Sequence, residues 1–166
     1  MRENYLKQLA EIDNETVVYV DETGIDRYFT REFGRAPRGS KIADTKRGRR
    51  FQRTNVIGGI CCGHYFGIEC YNHSTNSDFF VHWFKNHLLP EVPVGHTIVM
   101  DNATFHPKIK LHNIAKDYGI NLLFLPPYSP DFNPIEKSWA NLKRWLRDNF
   151  TFSPTLELAV LSYFCC

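Results

Sequence analysis

No stretch of this 166-residue chain is apolar over the roughly 18 residues that a membrane-crossing helix needs. No membrane partner is therefore expected. Residues Met1 to Leu6 lack the apolar run of a secretory signal, so the expected location is cytoplasmic. Cysteines are few and uneven, at positions 61, 62, 70, 165 and 166, and no Cys-x-x-Cys pair occurs. That speaks against a disulfide framework and against a structural zinc site. Cys61, Cys62 and Cys70 lie in apolar surroundings and read as small buried hydrophobes. Internal repeats and low-complexity tracts are lacking, and the length fits one domain over residues 1–166. Net charge is only +2, which by itself says little about partners.

The distribution of charge says more. From Arg31 to Arg53 there are nine Lys or Arg and only two acids, Glu32 and Asp44. Such a stretch is either a solvated surface loop or a segment that neutralises phosphates. It also holds Gly34, Pro37, Gly39 and Gly48, which break regular structure. A long irregular excursion in a compact domain is usually functional or disordered.

Around it the pattern is regular. Residues 3–12 suit a short helix. Thr16 to Val20 is a β-branched and aromatic strand ending at Asp21-Glu22-Thr23-Gly24. Asn55 to Cys62 and Tyr65 to Tyr71 read as strands joined at Gly63-His64. Helical spacing runs over Asn76 to Leu89, with Ser74 or Thr75 as cap and Pro90 as stop. His96 to Met100 is a strand, Ile109 to Tyr118 a helix closed by Gly119, and Ile120 to Leu125 a strand. After a Pro-rich loop, an amphipathic helix starts near Asn133 with Ile135, Trp139, Leu142 and Leu146 on one stripe. Trp139 reads there as core. A last short helix suits residues 154–164. An antiparallel meander followed by α/β alternation predicts an α/β fold: a mixed five-stranded central sheet with helices on both faces.

Two predicted strands end in an acid, Asp21 and Asp101. Ligands of open α/β sheets gather beyond the carboxyl ends of strands. Two carboxylates brought together repel unless a cation neutralises them, and hard oxygen donors suit Mg²⁺ or Mn²⁺. Either aspartate could equally be a turn former. Glu136 follows Asn133-Pro134 in a capping-box arrangement, so it either stabilises a helix start or is aimed by it. Glu22, next to Asp21, faces the other way in a strand and is a supporting candidate. Asn102 could orient a phosphate or cap its turn. His106 is within reach of the same loop.

Val18-Tyr19-Val20-Asp21-Glu22-Thr23, then Val99-Met100-Asp101-Asn102-Ala103, then Leu125-Pro126-Pro127-Tyr128-Ser129-Pro130-Asp131-Phe132-Asn133-Pro134-Ile135-Glu136 resembles the DDE transposases. The closer likeness is to the mariner superfamily, in its bacterial insertion-sequence branch. Thirty-four residues separate Asp101 from Glu136, a spacing that family uses. The resemblance covers roughly residues 16–150 and implies an RNase H-like fold whose first three strands form the meander. It implies that Asp21, Asp101 and Glu136 are catalytic and bind two Mg²⁺, with Mn²⁺ able to substitute. It implies metal-dependent hydrolysis at transposon ends and strand transfer of the freed 3′-hydroxyl into target DNA. It makes the excursion at about 30–54 a clamp-like loop. Phosphates would then be held by Arg38, Lys41, Lys46, Arg47, Arg49, Arg50 and Arg53, with Lys143, Arg144 and Arg147 on the last long helix. Transposases of this kind usually work as homodimers. Their N-terminal helix-turn-helix region is not expected in this chain, which leaves three origins open: one frame of a split gene with a separately encoded DNA-binding subunit, a degraded copy, or an isolated domain. Two readings compete: an inactive remnant that only binds DNA or dimerises, and another RNase H-like nuclease.

Overall fold

A computed structural model describes residues 2–26, 53–126, 132–149, 153 and 155–165. The basic excursion up to Gln52 and the heart of the Pro-rich loop, 127–131, lie outside the described residues.

Five strands form one mixed sheet in the order β3-β2-β1-β4-β5. These are β1 (Val17–Asp26), β2 (Arg53–Cys61), β3 (His64–Tyr71), β4 (Thr97–Met100) and β5 (Asn121–Phe124). The β1-β2 and β2-β3 pairs are antiparallel, and β1-β4 and β4-β5 are parallel, as the meander-then-alternation reading predicts. Around the sheet lie α1 (Arg2–Ala10), α2 (Ser77–Trp83), α3 (Lys108–Asp117), α4 (Ile135–Asn149) and α5 (Leu156–Phe164). α2 runs straight into a π-helical turn over Phe84–Leu88.

Alternation along β1 divides the core. Val18 and Val20 join Ile57, Phe80, Trp83, Ile98 and Leu111 beneath α2 and α3. On the other face Ile25 and Val56 pack with Ile135, Trp139, Leu142, Leu146 and Val160 beneath α4 and α5. The period-2 strand and the 3.6-period helix stripe thus meet where their patterns require.

Several local expectations are corrected. β1 does not end at Val20. Asp21 pairs with Gly58 and the ladder continues to Asp26 opposite Arg53, so the long partner strand overrides the turn signal at Thr23-Gly24. The hairpin turn is Cys62-Gly63, one residue earlier than expected, with φ of 49° and 84°. Two consecutive left-handed residues make the turn that matches strand twist, and Gly63 accepts that conformation freely. Cys62 is therefore exposed and Cys70 half-buried, while Cys61 alone of the three is buried. Asn76, not Ser74 or Thr75, caps α2, its side chain accepting from the Phe79 N–H at 2.8 Å.

β3 carries one extra residue. Ile57 faces Glu69 but Gly59 faces Phe66, so a β-bulge sits at Gly67-Ile68. Gly67 has φ 57°, its N–H donates to Glu91 Oε2 at 2.6 Å, and its carbonyl accepts from Trp83 Nε1 at 2.7 Å.

Candidate active site

Parallel pairing of β1 with β4 sets the floor of the site. Tyr19 lies opposite Val99. Two residues further along each chain come Asp21, still inside β1, and Asp101, just past the end of β4. Both line a cavity of about 20 Å³ with Val20, Glu22, Phe80, Met100, Phe105 and His106. That is room for about one water-sized sphere.

Asp21 is the electrostatic centre. Its pKa is pushed up to about 7, first by burial. The Glu22 backbone N–H holds it down, the Asp101 charge raises it, the Trp139 indole lowers it, and the Glu136 charge raises it again. Among the described residues none of these influences is a basic side chain. Trp139 Nε1 donates to Asp21 Oδ2 at 3.2 Å.

Asp101 opens the turn after β4, and its side chain is 55% exposed. Oδ1 accepts from the Ala103 N–H at 3.2 Å, so the turn-forming role is real and coexists with the site. His106 Nδ1 lies 3.3 Å from Oδ1 and 3.3 Å from the Asp101 carbonyl oxygen. The imidazole is 4% exposed, wedged against Phe80 and Phe105. Burial lowers its pKa, the Asp101 charge and carbonyl oppose that, and Lys108 adds to the lowering. A neutral ring with its proton on Nδ1, a tautomer assigned from these contacts, hydrogen-bonds Asp101 rather than forming an ion pair. Nε2 is buried and has no partner among the described residues.

Glu136 is the second residue of α4, exposed, on the helix that covers the Asp21 face of the sheet. The expected capping box is not formed. α4 begins only at Ile135, the Glu136 N–H bonds the Asn133 carbonyl at 3.2 Å, and Asn133 Oδ1 is buried without a partner among the described residues. Glu22 does face away from Asp21: it accepts from the Tyr71 hydroxyl at 3.4 Å on the α2 side. Its pKa is raised chiefly by burial, with Thr75 lowering it, Asp101 raising it, and Tyr71 and Arg53 lowering it. Asn102 is exposed on the turn.

The structure thus brings Asp101 and Glu136 within electrostatic reach of Asp21. Among the described residues, no three His, Cys, Asp or Glu side chains stand close enough to form a closed metal cage. The donor chemistry nonetheless fits a divalent cation. The carboxylates of Asp101 and Glu136 bear on a half-buried acid whose pKa is raised first by burial and then by their two charges, and which no cationic side chain among the described residues holds down.

The basic candidates divide. Arg53 begins β2, and its guanidinium lies across Gly24, within reach of the Glu22 charge. Arg144 and Arg147 are exposed on α4 and Lys143 is half-buried. Arg38, Lys41, Lys46, Arg47, Arg49 and Arg50 lie outside the described residues. Sequence reasoning missed the contact of Trp139 with Asp21. The available signal was its place one turn after Glu136 on the same helix.

A short match, 38% identical over 55 residues, links this chain to the Sinorhizobium fredii protein y4pE/y4sA, covering 32% of this chain and 34% of that one. The fold is similar to the Mos1 transposase in its paired-end complex with the left transposon end, at TM-score 0.67 and 14% identity over 98% of this chain. It is also similar to the HTLV-2 integrase catalytic core in complex with magnesium, in its dimeric form, at TM-score 0.55 and 12% identity, covering 92% of this chain and 85% of that one. These likenesses establish an RNase H-like fold. The chain spans 55% of the Mos1 chain and a third of the Sinorhizobium protein. No helix among the described residues is long and apolar enough to cross a membrane. Residues 16–158, which include Asp21, Asp101 and Glu136, match the family of DDE superfamily endonucleases, and the chain belongs to that family.

Proposed function

We propose that this chain is the catalytic domain of a DNA transposase of the mariner type, in the bacterial insertion-sequence branch. It would cut phosphodiesters at transposon ends and join the 3′-hydroxyl to target DNA. Asp21, Asp101 and Glu136 would hold two Mg²⁺, with Mn²⁺ as a substitute. Bound there, the ions would supply charge neutralisation at the reacting phosphate and a lowered pKa for the attacking hydroxyl.

The protein's own residues do the rest. β1 and β4 fix two carboxylates at one level, and α4 brings a third from above. His106 holds the Asp101 carboxylate from behind through Nδ1. Arg144, Arg147 and the basic excursion around Arg47, Arg49 and Arg50 contact backbone phosphates, which positions DNA without reading its sequence. Recognition of the transposon ends falls to a helix-turn-helix region supplied from outside these residues, and the working unit is a homodimer.

One observation supports this reading: Asp101 and Glu136 both bear electrostatically on a half-buried Asp21 that no basic side chain among the described residues neutralises. It is tested by incubating supercoiled plasmid bearing the element's own ends with the protein, with Mg²⁺ or EDTA. Nicking should need Mg²⁺ and disappear in Asp101→Ala while the far-UV circular dichroism stays unchanged. Undiminished nicking by Asp101→Ala removes that residue from the chemistry. Cleavage of an RNA–DNA hybrid in place of end-bearing DNA would move the chain to the ribonuclease reading.

A further inference from the structure

We infer that Trp139 is a positioning residue, whose indole N–H fixes the Asp21 carboxylate and locks it to the helix that carries Glu136. The inference rests on the reading of Asp21 and Glu136 as metal-holding acids.

Trp139 is 4% exposed and lies among Ile25, Val56, Leu142 and Leu156 in the core beneath α4 and α5. Its ring meets Phe164 edge-on at 6.4 Å between centroids. An indole is a donor only, and a buried one needs an acceptor. Trp83 shows the ordinary solution in this same fold: its Nε1 donates to a backbone carbonyl, that of Gly67, at 2.7 Å. Trp139 instead spends its donor on an acid of the site, Asp21 Oδ2, at 3.2 Å.

Two consequences follow from that choice. The bond engages one carboxylate oxygen and leaves Oδ1 outside it, so the rotation of the carboxylate about its own axis is restrained. It also spans two elements. Trp139 lies three residues after Glu136, close to one helical turn, so the two side chains project from neighbouring points on one side of α4. Anchoring Trp139 on β1 therefore sets the rotation and depth of the start of α4 against the sheet. The distance from Glu136 to Asp21 depends on both. A ring that packed equally well without the N–H would fill the core but leave this register unspecified.

The test uses Mn²⁺ alone as probe, by titration calorimetry on the full chain without DNA, for wild type, Asp101→Ala, Trp139→Phe and a variant carrying benzothienylalanine at position 139. The last keeps the bicyclic shape and replaces N–H by sulfur, so core packing survives even where Trp139→Phe does not fold. The Mn²⁺ dissociation constant should rise about tenfold in the benzothienylalanine variant, the order found when a partner of a metal-ligating group is removed. In a ¹H–¹⁵N spectrum the Trp139 indole resonance should move on adding Mg²⁺ while that of Trp83 stays put. Wild type that binds no Mn²⁺ overturns the site reading itself. Wild type that binds, Asp101→Ala that does not, and a benzothienylalanine variant as tight as wild type overturn the role of Trp139 and leave the site standing.

Discussion

Asp21→Asn should stabilise the metal-free protein, and more at high pH than at low. Asp21 has its pKa raised from 3.8 to about 7 in the folded chain. The folded state therefore holds a proton that the unfolded state releases. Stability is lost as pH rises from the ordinary carboxylate value towards 7, and the loss is complete above that. At 1.36 kcal/mol per pH unit the gap is about 4 kcal/mol as an upper bound. Solvent screening of a half-buried group brings the expected figure to about 2 kcal/mol. Asparagine removes the charge but keeps a carbonyl oxygen for the Trp139 indole. For a chain of this size the variant should melt about 4–8 °C above wild type at pH 8 in EDTA, and close to it at pH 4.5. His106, whose pKa is lowered, contributes with the opposite pH slope, but it is present in both proteins and cancels in the difference. Mg²⁺ should raise the melting temperature of wild type at pH 8 and leave the variant unmoved. The same gap between the two proteins at both pH values would refute the electrostatic account of Asp21.

Two more tests follow from named contacts. His106→Leu removes the Nδ1 donor to Asp101 but fills the pocket between Phe80 and Phe105, so Mg²⁺-dependent nicking should fall about tenfold with little change in melting temperature. His106→Asn, which retains a donor, should recover part of it, and equal activity in the Leu variant would dismiss the role. Gly67→Ala places a Cβ 3.0 Å from Leu88 Cα at a residue with positive φ. Denaturant unfolding should show a loss of about 2–4 kcal/mol, and a neutral result would mean that the π-helical turn yields at low cost.

The fold was largely legible because its signals were periodic. Strand runs such as His96 to Met100 and the stripe of Ile135, Trp139, Leu142 and Leu146 state which side is buried, and every residue of that stripe is. Boundaries were less legible where a partner decides them. Nothing local in Asp21 to Asp26 says strand, and β2 alone imposes it by pairing along that length. The Asn133 cap failed locally: α4 starts at Ile135, one residue later than that cap implies, and the backbone carbonyl of Asn133 takes the bond assigned to its side chain. The candidate acids stand out in the sequence by their motifs, but the contacts that hold them do not. The link from Trp139 to Asp21 crosses 118 positions in sequence, and no periodicity reports a contact of that range.

The bulge at Gly67 works as a phase shifter. Before it, Tyr65 rests on Phe164 beneath α5 while Phe66 points to the α2 side; after it, Ile68 and Cys70 lie on the α5 side and Tyr71 on the α2 side. Odd and even positions have exchanged faces across a single surplus residue. Taking that residue out would leave every face as it is, whereas pairing β3 to β2 without a bulge at its present length would swing Tyr71 through the sheet, take its phenol from Glu22 and turn Cys70 to the α2 side. A residue inserted between Ile68 and Tyr71, where no second bulge absorbs it, would exchange the faces in the same way and reach Glu22 from the far strand of the meander.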